Sequence, residues 1–174
     1  MAAGHFAAFT YLRPYLEQVS HYSVERISAL FLTFGIAGFV GNILGGIAVN
    51  RSLPATVAGA PIMLGLSAIA LSMFGLSWPM SVVTVASWGV GFGAVPIGLQ
   101  TWMARAAPDH LESVGGLFIA MFQFAIAVGS IFGGLLIDHA GARSAVAFGG
   151  SSTLAAGALV WRQWKKQISC THCV

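Results

Sequence analysis

Five stretches of this chain are long, apolar and free of charge, and they leave few folds open. They run over about Ile27–Asn50, Ala55–Leu76, Met80–Ala104, Val114–Ile137 and Ser144–Trp161. A helix needs roughly 20 apolar residues to cross the hydrocarbon core of a bilayer. Without water there, every backbone N–H and C=O must be satisfied internally, which a helix does by itself. The joints carry the turn and charge signals: Arg51 to Pro54, Ser77 to Pro79, Arg105 to Glu112 around Pro108, and Asp138 to Arg143 around Gly141. Charged residues make up 7% of the 174 residues, against roughly 25% in soluble domains. A soluble protein of this length has no polar surface to build from such a sequence. The expected class is an all-α integral membrane protein.

The segment before the first clean run is different. Residues 1–19 are apolar and aromatic but carry Arg13, Pro14 and Glu17. Only 13 residues precede Pro14, too few to reach the far face of a bilayer at 1.5 Å per residue. Either this first helix is short, or the chain begins inside a longer natural helix; the second is the expectation. Nothing at Met1 resembles a signal peptide, since no basic region precedes the apolar residues. Six spans then fill residues 1–166, with residues 167–174 expected to form a frayed tail.

The chain writes one of its stretches twice. Gly41-Asn42-Ile43-Leu44-Gly45-Gly46-Ile47-Ala48-Val49-Asn50 returns 88 positions later as Gly129-Ser130-Ile131-Phe132-Gly133-Gly134-Leu135-Leu136-Ile137-Asp138. Three crossings separate the copies, so they should end on opposite faces of the membrane. That is the pattern of two three-helix units in inverted topology, found in secondary transporters. With six spans, one side collects Arg51, Arg105, Arg162, Lys165 and Lys166, and the other Arg26 and Arg143. The excess assigns the first side, with both chain ends, to the cytoplasm.

Several classes find nothing in their favour. The basic residues sit singly or in the tail, without the aromatic interleaving of a nucleic-acid surface. Cys170 and Cys173 form one isolated pair, and a metal or redox site needs more. No phosphate-binding GxxxxGK[ST], no nucleophile beside a base and no metal-ligand cluster is present. Neither an enzyme nor a cofactor is expected.

The polar residues inside spans are the candidates for solute contact. His5, Phe9, Arg13 and Glu17 recur every four residues and stack on one helix face. Pro14 frees the carbonyl of Thr10 and favours a kink there. An arginine at mid-membrane costs roughly 2.5–3.5 kcal/mol. Arg13 therefore either anchors a solute in a water-filled cavity or pairs with Glu17 and snorkels to the interface. Tyr11 and Tyr15 line the same cavity or belong to an aromatic belt. His5 is a proton carrier or, more in keeping with a site lacking nearby carboxylates in sequence, a satisfied or interfacial histidine. Gln100 and Gln123 each donate and accept, so each reads a solute or ties two helices together. Trp88, Trp102, Phe122 and Phe124 form an apolar wall or face lipid. Gly35, Gly38, Gly41, Gly45, Gly129 and Gly133 let helices approach closely. Gly89, Gly93, Pro96 and Gln100 share one face of the fourth span. No carboxylate lies in the middle of any span.

His5-Phe6-Ala7-Ala8-Phe9-Thr10-Tyr11-Leu12-Arg13-Pro14-Tyr15-Leu16 resembles the start of the C-terminal half of bacterial major facilitator superfamily transporters. The nearest branch is that of the drug:proton antiporters with arabinose- and nucleoside-efflux-type permeases. Gly45 through Arg51 is similar to the superfamily's cytoplasmic Gly-x-x-x-Asp-Arg loop, with Asn50 in the aspartate position. Trp102 through Glu112 and the Gly133-Gly134 stretch ending at Asp138 also match. The resemblance implies half of a twelve-helix fold and proton-driven efflux of a small organic solute (drug, sugar or nucleoside-like) by alternating access. Arg13 would be the cavity anchor, Gln100 and Gln123 secondary contacts, and Tyr11 and Trp102 wall residues. It also implies the lipid bilayer as environment, in the bacterial inner membrane, and either a missing N-terminal six-helix half or a second copy as partner. In this branch the coupling carboxylates usually lie in that other half.

Overall fold

A computed structural model describes the side chains of residues 1–166 and the last helix as far as Thr171. The predicted tail of 167–174, with Cys170 and Cys173, lies outside the described side chains. The described residues are helical apart from short joints. They form α1 (Ala2–Phe9), α2 (Leu12–Gln18), α3 (Val24–Arg51), α4 (Leu53–Phe74), α5 (Trp78–Ala106), α6 (Leu111–Ala140) and α7 (Ala142–Thr171), with one 3-10 turn at Pro108–His110 before α6. Five of these helices are long and apolar enough to cross a membrane. α1 and α2 together are the short first span, broken at Thr10–Tyr11 one turn before Pro14. Pro14 has no N–H for the Thr10 carbonyl, so the helical ladder lapses where that residue requires it. Pro96 lies inside α5 without breaking it, and Pro61 inside α4.

The glycine repeat is visible in the packing. A Cβ placed on Gly41 would fall 2.6 Å from the Cα of Val90, and one on Gly45 2.8 Å from the Cα of Ala94. In the second copy, Gly129 lies against the backbone of Ala3, and a Cβ on Gly133 would come 2.7 Å from the carbonyl oxygen of Ala7. Both partners rise with the glycine's number, so α3 runs parallel to α5 and α1 runs parallel to α6. Exchanging the first three spans with the last three maps one seam onto the other. The rest of the packing obeys the same exchange: α4 lies on α5 as α7 lies on α1, and α4 and α7 pair with each other. This is the inverted repeat that the sequence announces.

The end of the bundle opposite the chain termini is tied by side chains to the carbonyls at the C-terminal end of α4, of which Leu71 O also accepts the capping Gly75 N–H. Tyr15 Oη donates to Leu71 O at 2.7 Å, Arg143 Nε to Ser72 O at 2.7 Å and Tyr22 Oη to Gly75 O at 3.0 Å. Ser81 Oγ donates to the Gly75 carbonyl as well, at 3.0 Å. Arg26 lies over the Trp78 ring at 5.5 Å from its centre. α2, α4, α5 and α7 are thus joined at one end. α6 is the outlier, with only 6% of its apolar window buried.

Candidate functional site

The site is built where α1 meets α3, α5 and α6. His5 and Phe9, one turn apart, direct their rings into the gap between α3 and α5. The His5 imidazole stacks on Phe92 with ring centres 4.2 Å apart and on Phe9 at 5.4 Å. Its Nδ1 accepts the indole N–H of Trp88 at 3.1 Å. The proton of the neutral ring is then on Nε2, which is buried without a partner. His5 is only 2% exposed and Trp88 fully buried. Of the two expected alternatives the interfacial one fails, because His5 is a core residue, and the satisfied one holds for one ring nitrogen. Trp88, a candidate wall residue, is core too, because the missing side chains of Gly89 and Gly93 draw α5 onto α3.

From this centre a row of rings extends over the bundle's open face. Phe6 meets Phe122 at 5.5 Å and Phe92 at 6.3 Å, and Phe118 meets Phe122 at 5.6 Å. Phe34 lies 5.8 Å from Phe92. Two pockets flank the row. One, of about 280 Å³, has a floor of Gly35, Gly38 and Gly93, with Phe34, Phe92, Pro96 and Asn42 around it. The other, of about 300 Å³, lies between the joined ends of α5 and α6 and holds Gln100 beside Met103, Leu111 and Phe118.

The candidates read from sequence are thus only partly assembled. Gln100 lies in the second pocket, at one end of the ring row. Tyr11 packs on Gly133 and Gly134, and its hydroxyl donates to Ser130 O at 2.9 Å; Thr10 Oγ1 is 3.2 Å from Ser130 Oγ. Gln123 is exposed on α6, two turns before Ser130 on the same stripe. Arg13 Nε donates to Glu17 Oε1 at 2.8 Å, with 65% of the Arg13 side chain exposed. Trp102 stands apart, in a groove with Pro54, Val57, Val160 and Trp164 on the α4–α7 side of α5. Phe124 is exposed rather than part of the row. Asn42, Phe34, Phe92, Phe6 and Phe118 are the members that sequence reasoning missed. Asn42 sits inside the repeated stretch itself, where Ser130 occupies the equivalent position.

The row thus presents aromatic faces and edges, with the amides of Gln100 and Asn42 in the adjoining pockets. The profile of the Major Facilitator Superfamily matches residues 1–167. The chain belongs to this superfamily. Its match covers all six spans, which makes the protein a multi-pass membrane protein of a transporter family. It is 35% identical over 167 residues to the purine ribonucleoside efflux pump NepI of Shigella sonnei (strain Ss046), covering 96% of this chain and 42% of that protein. To NepI of Salmonella paratyphi B (strain ATCC BAA-1250 / SPB7) it is 36% identical, over 87% of this chain and 38% of that protein. The Escherichia coli O1:K1 / APEC pump of the same name is 34% identical over 96% of this chain and 42% of its own length. This superfamily chain therefore spans less than half the length of these relatives.

Proposed function

We propose that these 174 residues are the C-terminal six-span half of an efflux transporter for purine nucleosides that works by alternating access. The observation that carries this reading is the ring row Phe118–Phe122–Phe6–Phe92–Phe34, bounded by the amides of Gln100 and Asn42. A purine offers a planar face for stacking and ring-edge donors and acceptors for an amide. Efflux relatives with a purine nucleoside in their names give the solute class. Gln123, Tyr11 and Ser130 lie on the neighbouring stripe and would meet the sugar hydroxyls, with Arg13 at its margin. Trp102 is left out of this contact set because its groove faces away from the row. The little-covered face of α6 supports a partner, either the other half or a second copy. Five acidic residues are present, Glu17, Glu25, Asp109, Glu112 and Asp138, and they stand at or near span ends; we place proton coupling in the other half. The excess of Lys and Arg where both chain ends emerge supports a cytoplasmic assignment for that side of the bacterial inner membrane.

The test is export of preloaded radiolabelled inosine from bacterial cells. The chain is produced alone, or together with the remaining part of the Shigella relative. Export only with the added part supports the half-transporter, and export by the chain alone supports a homodimer. Absence of export in both overturns the transport reading. In the exporting form, Phe92→Ala should weaken apparent inosine affinity about tenfold, within the ~1–3 kcal/mol of a base–aromatic stack. Phe124→Ala should leave it unchanged.

A further inference from the structure

A second, larger concavity lies away from the ring row, on the outside of the bundle between α3 and α4. Its volume is about 500 Å³, and its walls include Leu44, Ile47, Gly59 and Met63, reaching from Arg51 to Gly41 along α3. α3 and α4 are joined through Ser52 alone, yet they touch little beyond that joint, because α3 is drawn onto α5 by its glycines and α4 onto α7. The splay leaves the groove. Arg51 is its only charged lining residue. Among the described residues Arg51 is exposed and has no ion pair or hydrogen bond. Beside it, Ser52 Oγ accepts from Ala55 N at 3.4 Å, and its own hydroxyl proton is uncommitted.

The groove has the length of one leaflet. From Arg51 to Gly41, ten residues of helix at 1.5 Å each give about 15 Å, half of a hydrocarbon core about 30 Å thick. On α4 the lining runs a similar distance, from Ser52 to Met63, with Val90 and Ala94 of α5 behind it. A transmembrane helix needs a surface running through both leaflets, whereas a single acyl chain needs this depth and no more. We propose that the α3–α4 groove is a site for an anionic phospholipid. One acyl chain lies along Leu44, Gly59 and Met63, and the phosphate rests on the Arg51 guanidinium and the Ser52 hydroxyl. The anionic preference follows from an arginine that no carboxylate in the groove neutralises.

The test is native mass spectrometry of the full chain released from detergent micelles, doped with phosphatidylglycerol or with phosphatidylcholine of the same acyl chains. The wild type should retain one phosphatidylglycerol roughly fivefold more readily than phosphatidylcholine, as one basic residue near a lipid surface provides. Arg51→Gln should abolish that preference. Gly59→Phe should abolish retention of both lipids, since a Cβ at Gly59 meets nothing within 4 Å and the ring fills the groove. Gly46→Phe is the control of equal bulk, with open space at its Cβ and a place outside the groove; it should behave as wild type. Equal retention of the two lipids by the wild type overturns the proposal, as does an unchanged preference in Arg51→Gln. So does retention by Gly59→Phe equal to that of Gly46→Phe. Loss of a second polypeptide from Gly59→Phe, with lipid retention unchanged, also overturns it and assigns the groove to a protein segment.

Discussion

Gly41→Ala tests the seam on which the whole arrangement depends. A Cβ at Gly41 would stand 2.6 Å from Val90 Cα and 2.7 Å from its carbonyl carbon, where carbon atoms prefer 3.5–4.0 Å. Both neighbours are backbone, so no rotamer change relieves the overlap, and α3 must back away from α5 by about 1 Å. Gly45 against Ala94 and Gly38 against Gly89 and Gly93 lie on the same seam and lose contact together. A gap of that size forfeits a quarter to a half of each dispersion well, and in a bilayer no hydrophobic drive between helices compensates. We expect a loss near the upper end of the ~1–3 kcal/mol typical of overpacking. Gly129→Ala, in the second copy, should lose a similar amount against Ala3. Gly35→Ala and Gly46→Ala have nothing within 4 Å of the new methyl. They should be neutral or more stable by up to ~1 kcal/mol from helix propensity. Reversible unfolding in mixed micelles measures all four. If Gly41→Ala unfolds with the Gly35→Ala and Gly46→Ala controls, the close α3–α5 approach is not as described and the repeat has no role in packing.

The His5–Trp88 hydrogen bond spans two helices, and a double-mutant cycle with His5→Ala and Trp88→Phe should return a coupling of about 0.6 kcal/mol, at most ~1.7; zero coupling by the same unfolding assay would place the two rings apart. Tyr15→Phe removes the donor to the Leu71 carbonyl and should cost about 1 kcal/mol, read by faster hydrogen exchange at the α4–α5 joint, whereas unchanged exchange would mean the joint does not depend on that hydroxyl. Arg13→Ala breaks an exposed i,i+4 pair and should change stability by less than ~0.5 kcal/mol, so a large fall in inosine export at normal membrane abundance would assign Arg13 to solute rather than to its Glu17 partner.

The spans and their inverted pairing were legible because both are written in local chemistry. Uncharged runs mark the crossings, and the copy at Gly129–Asp138 repeats the order of small and branched residues at Gly41–Asn50. The break of the first span was legible from Pro14 alone. The ring row was not. His5 and Trp88 are 83 residues apart, and nothing near either one in sequence says that the other is its partner. Phe92 reads as one more apolar residue of its span, and only the packing of α1 against α5 brings its ring onto His5. Asn42 reads as part of a glycine pattern, although it is the polar residue that the pattern carries inside α3. Trp102 misled for the opposite reason: an aromatic near a span end has a type but no direction, and its groove lies beyond α5.

The same glycines account for the two faces of the bundle. Drawing α3 onto α5 and α1 onto α6 buries His5 and Trp88 and brings Phe6, Phe92 and Phe122 together as one continuous surface. It also pulls α3 away from α4 and leaves the α3–α4 groove empty of protein side chains. Restoring bulk at Gly41 should therefore disturb both faces at once, loosening the ring row while narrowing or widening the groove. Bulk at Gly59 reaches the groove alone. Comparing inosine affinity and lipid retention in Gly41→Ala and Gly59→Phe separates a shared mechanical origin from two independent sites: a Gly41→Ala chain that alters only one of the two readouts would refute the common origin.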